Sequence, residues 1–255
     1  MFSWKRVAMA TLVALAATTA AEAKDWSTIR IGTEGAYPPF NFIDSDQQLQ
    51  GFDIDIAKAV CEKLKAECTF TAQDWDGIIP ALQAGKFDAI FASMSITDER
   101  KKVVDFSRPY YNTPSSFFAA KGSGITDISP AALKGKTIGA QSSTIQSAFL
   151  ESDYGDLDVK FYPTQDEVNL DLQSGRVDAL FVDKLVGLDW LKTEDGACCE
   201  VVGTDIPIGG GVGAAVRQDD TELRDLISKA IEEIKADGTY EKINAKYFTF
   251  SIWPQ

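Results

Sequence analysis

The sequence predicts an α/β protein with two doubly wound lobes joined by two hinge crossings. The main observation is an internal repeat, in which LQAGKFDAIFAS at 82–93 recurs as LQSGRVDALFVD at 172–183. Each copy has the pattern of a helix end, a Gly C-cap and a buried strand, so one supersecondary unit is used twice. Open α/β sheets bind ligands at the carboxyl ends of their strands. The two repeat strands therefore predict a cleft between the lobes.

The elements in each lobe are predicted to have the order βαβαβ. The first series has strands at 28–33 and 67–72, helices at 51–65 and 77–84, and the repeat strand at 87–91. The second has strands at 137–140 and 158–162, helices at 144–150 and 165–172, and the repeat strand at 177–181, followed by a strand at 212–216 and a helix at 223–234. This order is typical of a parallel, doubly wound sheet.

The last segment of the chain has no repeat unit of its own, so we expect it to return to the first lobe. The predicted organisation is a signal peptide at 1–23, lobe 1 at 24–112 plus 210–255, and lobe 2 at 113–209. Two crossings, near 111–115 and 204–209, then connect the lobes. A double crossing suits a hinge, in which a few residues absorb the motion of two rigid bodies.

The first 23 residues have the pattern of a secretory signal peptide. Lys5 and Arg6 precede an apolar run at 7–17, and Ala21-Glu22-Ala23 is a small-x-small cleavage site. The alternative is a membrane anchor, for which this run is too short to span a bilayer. We therefore expect an exported, periplasmic protein that begins at Lys24.

Composition and charge exclude several classes of function. The chain is 45% apolar with a formal charge of -13, and loss of Lys5, Arg6 and Glu22 with the signal peptide makes the mature charge about -14. Nucleic acid is not an expected partner because phosphate binding needs clustered Lys and Arg. The chain has no histidine, which removes Ser-His-Asp and Cys-His catalysis and His-containing zinc sites. We expect no cofactor and no metal.

Four cysteines in an exported protein indicate disulfides. Cys61 and Cys68 lie at the end of a predicted helix and the start of the next strand, and a short loop closes this separation, so we expect a bridge. Cys198 and Cys199 are adjacent. A vicinal disulfide is a strained ring, and free thiols or pairing with another chain are the alternatives.

The segment from Ser93 to Arg100 has the pattern of a carboxylate site. Thr97 is a predicted N-cap, so Arg100 comes at a helix start, where a positive charge opposes the helix dipole. Beside the free N–H groups of that turn and the hydroxyls of Ser93 and Ser95, its guanidinium offers bidentate, charge-assisted contacts to a carboxylate. The alternative is an Arg paired with Asp98 or a neighbouring acid.

Asp183 ends an apolar strand and is predicted to face the cleft. An acid in this position rarely lacks a cationic partner, and an ammonium group is the natural one. The alternative is an N-cap for the segment that follows. In the same lobe, the segment from Gln141 to Thr144 stands between a strand and a helix, where N–H groups and hydroxyls can bind an anion, although capping also explains Thr144.

An acid and two aromatic residues lie near the ends of the first strands. Glu34 follows the first strand, Tyr37 comes three residues later, and Trp75 precedes a helix. Together they offer charge pairing and cation–π contact to a long cationic side chain. Taken singly, Trp75 is more often a core residue and Glu34 is more often solvated.

Six segments of the chain carry a family resemblance, namely IGTEGAYPPF (31–40), GFDIDIA (51–57), DWDGIIPAL (74–82), SITDER (95–100), GRVDALFVD (175–183) and DGTYEKINAKYF (237–248). They resemble the periplasmic solute-binding proteins of polar amino-acid ABC transporters, especially the lysine/arginine/ornithine, histidine and arginine receptors. The resemblance covers the whole mature chain. It implies a monomer whose two lobes close on one amino acid and deliver it to the transporter's membrane permease.

The resemblance also implies which residues contact the ligand. Arg100 and the helix start at Thr144 hold the α-carboxylate, and Asp183 holds the α-amine. The head-group contacts are completed by Ala92, Ser93 and Ser95. Tyr37 and Trp75 sandwich the ligand side chain, and Glu34 meets its distal cationic group.

Two residues depart from the pattern of the lysine/arginine/ornithine receptors. Ala92 stands where a serine is familiar, and Gln141 stands where an aliphatic residue is familiar. The bridge between Cys61 and Cys68 resembles the basic-amino-acid branch. We expect arginine as the first ligand, followed by ornithine, lysine and histidine.

Three alternatives share this fold. TEGAYPPFNF and DWDGI also resemble the octopine and nopaline type of opine receptor, although an acid at Asp183 favours a free α-amino group. Exported dehydratases acting on cyclic prephenate-like or arogenate-like acids belong to a different class, in which Glu34 would be an acid or base. A signalling receptor domain is the third alternative. The presence of both Arg100 and Asp183, one for each charge of a zwitterion, favours a binding protein over an enzyme.

Overall fold

Two five-stranded sheets organise residues 24–254, the part of the chain that the computed structural model describes. The predicted signal peptide at 1–23 lies outside these residues. The elements up to the first crossing are β1 (Thr28–Thr33), β2 (Ala36–Tyr37), β3 (Asn41–Ile43), β4 (Leu49–Gln50), α1 (Phe52–Leu64), β5 (Glu67–Ala72), α2 (Trp75–Gln83), β6 (Ala89–Ile90), α3 (Asp98–Lys101) and β7 (Asp105–Tyr111). The elements after it are β8 (Ser115–Ala120), β9 (Thr137–Gln141), α4 (Ile145–Asp153), β10 (Asp158–Tyr162), α5 (Gln165–Gln173), β11 (Ala179–Asp183), α6 (Lys184–Trp190), a short 3₁₀ helix (Asp195–Cys198), β12 (Cys199–Ile206), β13 (Val212–Val216), α7 (Thr221–Ala236) and α8 (Thr239–Tyr247).

Each five-stranded sheet combines a parallel half with an antiparallel half. The first sheet has the strand order β5-β1-β6-β13-β7, in which β1 is parallel to β5 and β6, and β13 is antiparallel to β6 and β7. The second has the order β10-β9-β11-β8-β12, in which β9 is parallel to β10 and β11, and β8 is antiparallel to β11 and β12. The α/β fold class is confirmed, but the prediction of wholly parallel sheets is wrong.

The crossings explain the antiparallel strands. The chain passes from β7 in the first sheet to β8 in the second, and returns from β12 to β13. Ser115 at the start of β8 pairs with Asp183 at the end of β11, so the chain enters the second sheet at the edge where its parallel strands end. A strand that enters there must run the opposite way. The boundaries of the lobes, 24–112 plus 210–255 and 113–209, remain a prediction. The division of the strands between the two sheets supports it.

The repeated segments occupy equivalent central places. β6 and β11 are each the third strand of their sheet, and each runs parallel to the first strand of its own series. In both copies the Asp before the strand accepts the backbone N–H of that neighbouring strand: Asp88 from Arg30, at 3.0 Å, and Asp178 from Thr137, at 2.9 Å. The same contact therefore positions both repeat strands.

The first lobe is held together by α7 and a cluster of aromatic residues. Helix α7 packs on α1 and β7 through a stripe of buried residues at helical spacing, namely Leu223, Ile227, Ala230, Ile231 and Ile234. Phe40 stacks on Tyr111 with 4.5 Å between ring centroids, and Phe52 packs edge-on against both. The segment after the second crossing thus belongs with the first sheet, and the aromatic cluster supports the loop that follows β1.

Both cysteine pairs are joined in the structure. Cys61 in α1 is bridged to Cys68 in β5 with a Cα–Cα distance of 6.2 Å, which confirms the expected disulfide. Cys198 and Cys199 form a vicinal disulfide, one of the three states considered above. Among residues 24–254, no helix has the length and apolar character needed to cross a membrane.

Removal of the first bridge should lower stability without changing the ligand cavity. The two cysteines are 7 residues apart, and closing so short a loop in the unfolded chain stabilises the folded state by about 2 kcal/mol. We expect the double substitution Cys61→Ala/Cys68→Ala to lower the free energy of unfolding by this amount in urea denaturation. Cys198→Ala/Cys199→Ala is the control, since adjacent residues close almost no loop. Equal unfolding free energies for wild type and Cys61→Ala/Cys68→Ala would contradict the prediction.

Candidate ligand-binding site

A small cavity lies between the carboxyl ends of the central strands of the two sheets. All ten residues predicted to contact the ligand line it: Glu34, Tyr37, Trp75, Ala92, Ser93, Ser95, Arg100, Gln141, Thr144 and Asp183. Their roles as ligand contacts remain a prediction. Ile145 and Gln146, which no sequence pattern indicates, complete the wall in the first turn of α4.

The two lobes meet around the cavity through side chains of the first and a turn of the second. Trp75 Nε1 donates a hydrogen bond to the carbonyl oxygen of Ser143, at 3.1 Å. The hydroxyl of Ser142 donates to the Asp76 carboxylate, at 3.0 and 3.1 Å to its two oxygens. Gln141 Nε2 donates to Glu34 Oε1 at 2.5 Å. The structure is therefore a closed form of the two lobes.

Arg100 carries the positive charge of the cavity. Its guanidinium donates to the carbonyl oxygens of Ser95, at 2.9 Å, and Ser143, at 3.1 Å, and lies 5.2 Å from the centre of the Trp75 ring. No carboxylate of residues 24–254 pairs with it. The alternative of an Arg100–Asp98 pair is wrong, because Asp98 pairs with Lys101. Burial lowers the pKa of Arg100 to about 10, so the guanidinium stays charged at neutral pH.

The local structure around Arg100 follows the predicted pattern. Thr97 is the N-cap of α3 and its side chain accepts a hydrogen bond from the backbone N–H of Arg100 at 3.1 Å. Helix α3 has only four residues, so its dipole is weak. The guanidinium turns back over Ser95 into the cleft. Neutral carbonyl oxygens thus hold the Arg100 guanidinium in place, and its positive charge is available to a ligand.

Asp183 combines both roles considered for it. Its Oδ1 accepts the backbone N–H of Leu185 at 2.9 Å, which caps α6, and the hydroxyl of Thr113 at 3.2 Å. The carboxylate also lines the cavity and is 8% exposed. Burial raises the pKa of Asp183 to about 7, against the lowering effect of these hydrogen bonds. Within the described part of the chain, no cationic side chain pairs with it.

Glu34 also lines the cavity. It is 9% exposed, and burial raises its pKa to about 7. The hydrogen bond from Gln141 acts in the opposite direction, whereas the negative charges of Asp166, Asp74 and Asp76 raise the pKa further. Gln141 also donates to the carbonyl oxygen of Pro163, at 3.2 Å. The Gln141 amide therefore holds Glu34 from the opposite lobe.

The turn before α4 differs from the predicted anion site. The hydroxyl of Ser142 is directed to Asp76, and the carbonyl of Ser143 accepts hydrogen bonds from the first lobe. Thr144 forms a capping box with Ser147, so the capping alternative is present. Ser142 and Ser143 do not line the cavity. This turn fastens the lobes to each other, and only Gln141, Thr144 and the first turn of α4 reach the ligand space.

Two α/β lobes that close on a small charged cavity define the class of extracytoplasmic solute-binding proteins. The family model of bacterial extracellular solute-binding proteins, family 3, matches residues 29–250. The chain belongs to this family.

Named relatives and a solved structure agree with the assignment. The chain is 42% identical to the L-arginine-binding protein of Pseudomonas aeruginosa over 232 residues, which cover 88% of this chain and 89% of that protein. It is 38% identical to the ABC transporter arginine-binding protein 1 of Escherichia coli, with 93% of this chain and 97% of that protein covered. The structure of an ancestral arginine-binding protein bound to arginine superposes with a TM-score of 0.82 at 43% identity, covering 87% of this chain and 98% of the other.

The charge state of Glu34 should be visible in the stability of the ligand-free protein. Its pKa rises from 4.5 to about 7 on burial, so the folded state holds the proton more tightly. Wild type then loses unfolding free energy as the pH rises from about 4.5 to about 7.5. Glu34→Gln lacks this loss and should gain up to about 3 kcal/mol relative to wild type across that range.

Urea denaturation of ligand-free protein at pH 5 and pH 8 measures this difference. Glu62→Gln, at an exposed position of α1, is the matched control and should differ from wild type by the same amount at both pH values. Parallel pH profiles for wild type and Glu34→Gln would show that Glu34 is not held in a desolvated position.

Proposed function

We propose that this protein binds a basic amino acid between its lobes, arginine first and then ornithine, lysine and histidine, in the periplasm. The loaded, closed form then delivers the ligand to the permease of an ABC transporter. One observation carries the proposal: Arg100, Asp183 and Glu34 line a single cavity, and none of them pairs with an opposite charge among the described residues. An α-carboxylate, an α-ammonium and a side-chain cation match these three groups.

The shape of the Glu34 end favours arginine over lysine. Glu34 Oε1 already accepts a hydrogen bond from Gln141, so a ligand must pair with a carboxylate whose orientation is fixed. A planar guanidinium presents several donors in a fixed fork and stacks on aromatic faces, whereas an ammonium is a compact point charge. Trp75 and Tyr37 supply aromatic faces in the same cavity. Both named relatives are arginine-binding proteins, which supports the same choice.

An opine is the alternative ligand within the same class. It carries a substituent with a second carboxylate on the α-nitrogen, and this group would lie beside Asp183. Two neighbouring carboxylates repel each other, and burial in this cavity already raises the pKa of Asp183. Asp183 therefore supports a free α-amino group.

A dehydratase on the same fold is the alternative from another class. Glu34, with a pKa of about 7, is able to exchange a proton near neutral pH. Arg100 and Asp183, however, describe the two head-group charges of an amino acid, which supports binding without catalysis. Incubation of the mature protein with prephenate or arogenate separates the two functions, and product formation would establish the enzyme.

The two head-group charges should each be required for binding. Loss of either leaves the opposite charge of the ligand unpaired in a closed cavity, which costs about 2–5 kcal/mol. We expect Arg100→Ala and Asp183→Ala to weaken arginine binding by this amount in isothermal titration calorimetry. Arg176→Ala, an exposed Arg of the repeat turn, is the control and should bind as wild type. Unchanged affinity in either cavity variant would disprove its head-group role.

The Glu34 carboxylate should decide the preference for a cationic side chain. Hydrogen bonds to charged groups contribute about 1.5–3 kcal/mol, so Glu34→Gln should weaken arginine binding by this amount. A neutral amino acid that binds at all should be affected less, because it makes no ion pair there. A thermal-shift screen of the common amino acids and opines, followed by calorimetry, measures both. A wild-type preference for glutamine, glutamate or an apolar amino acid would overturn the side-chain assignment.

A further inference from the structure

Asp53 is a buried carboxylate in the first turn of α1, in contact with the cavity residue Ser93. The sequence indicates only an acid that favours the helix dipole at this position, as Asp55 does in the same turn. In the structure its side chain is 0% exposed, does not line the cavity, and has no cationic partner among residues 24–254. An unpaired buried carboxylate is unfavourable unless several donors surround it. Its hydrogen bonds therefore show what it does.

Four donors converge on the two oxygens of Asp53. Oδ2 accepts the backbone N–H of Ser93 at 2.7 Å, the hydroxyl of Ser93 at 3.0 Å and Asn41 Nδ2 at 3.0 Å. Oδ1 accepts only the hydroxyl of Tyr110, at 2.7 Å. Within the described residues, Oδ2 thus carries three hydrogen bonds and Oδ1 carries one.

These contacts reach both strand ends that line the cavity in the first lobe. Ser93 lies just beyond β6 and has a φ of 53°, a left-handed conformation that a non-glycine residue adopts only when its surroundings enforce it. Asn41 passes the contact on, because its Oδ1 accepts the backbone N–H of Gly35 at 2.8 Å. Gly35 follows Glu34 directly. One carboxylate therefore connects the head-group end of the cavity with its side-chain end.

The chain around α1 is built to bring Asp53 this close. Gly51 has a φ of 119°, and a Cβ on it would lie 2.3 Å from the carbonyl oxygen of Phe40. Glycine at this position lets the start of α1 approach the segment that carries Asn41. The backbone N–H of Asp53 donates to the same Phe40 oxygen at 2.8 Å. The GFD motif thus fixes Asp53 relative to both strand ends.

We propose that Asp53 is a positioning residue that holds Ser93 and the Glu34–Gly35 segment in register for ligand binding, although it does not touch the ligand. This inference rests on the proposed amino-acid binding function. Ligand contacts lose most of their value when they are displaced by about 1 Å, so a group that sets two of them at once controls affinity.

Three variants test the proposal. Asp53→Ala removes all four hydrogen bonds and should weaken arginine binding tenfold or more, as expected for about 1 Å of displacement. Asp53→Asn should stay within about threefold of wild type, because an amide nitrogen facing Tyr110 reverses one hydrogen bond while the amide oxygen keeps the other three. Asp55→Ala should stay within about twofold, since Asp55 pairs with Lys246 and Tyr247 away from the cavity.

The conservative variant distinguishes positioning from charge or stability. A purely electrostatic role would make Asp53→Asn as harmful as Asp53→Ala, and that result would overturn the proposal. So would wild-type affinity in folded Asp53→Ala. In the double variant Asp53→Ala/Glu34→Gln, the fold loss of arginine affinity should be smaller than the product of the two single losses. Asp53→Ala alone already removes the support that holds Glu34 in place. Independent, fully multiplicative effects would contradict the connection through Asn41.

A ligand-independent measurement keeps the inference separate from the proposed function. Amide hydrogen exchange should accelerate in Asp53→Ala at Gly35 and Ser93, and remain unchanged in β13. If wild type binds no basic amino acid, the proposed function fails while this exchange pattern still tests the positioning role. If Asp53→Ala does not fold, Asn41→Ala removes the link to Gly35 alone and should accelerate exchange at Gly35 and weaken binding. Unchanged exchange at Gly35 and Ser93 in Asp53→Ala, or at Gly35 in Asn41→Ala, would overturn the proposal.

Discussion

The structure depends on keeping one guanidinium and two carboxylates in a single cavity without letting them neutralise one another. Carbonyl oxygens hold Arg100, an amide N–H and a hydroxyl hold Asp183, and a carboxamide holds Glu34. Within residues 24–254, each of these groups has polar partners but no oppositely charged one. Burial without neutralisation is unfavourable, and the shifted pKa values of all three groups reflect it. A ligand with complementary charges relieves this unfavourable state, which makes the cavity selective.

The internal repeat supplies two of the polar strand ends that face the cavity. β6 and β11 hold the same position in the two sheets, and each ends at the cleft with a polar residue, Ser93 in one lobe and Asp183 in the other. Asp88 and Asp178 fix the two strands to their neighbours through the same backbone contact. The same structural unit used twice therefore supplies two strand ends that face the cavity, one followed by a hydroxyl and the other ending in an acid.

The sequence predicts the parts of the fold that local pattern and repetition determine, and misses those that depend on distant residues. β1, β5, β10 and β13 have the predicted bounds, and the ten residues predicted to contact the ligand line one cavity, although their roles remain a prediction. The antiparallel direction of β8 and β13 is set by where the crossings enter each sheet, and β7 is obscured by Pro109. Asp53 resembles a helix-dipole acid in sequence because Asn41, Ser93 and Tyr110 meet it only in the folded protein. The role of Ser142 likewise depends on Asp76 in the other lobe, which accepts its hydrogen bond.

The hydrogen bonds from Trp75 and Arg100 to Ser143, and from Ser142 to Asp76, join the lobes through protein atoms alone. They make the closed shape accessible to an empty protein as well as to a loaded one. A partner that recognises the closed shape would then also bind closed molecules that carry no ligand. The fraction of such molecules depends on the strength of these contacts. Weakening them would lower that fraction but would also require the ligand to supply more of the closing free energy. The turn before α4 thus sets a balance between sensitivity to scarce ligand and fidelity of delivery.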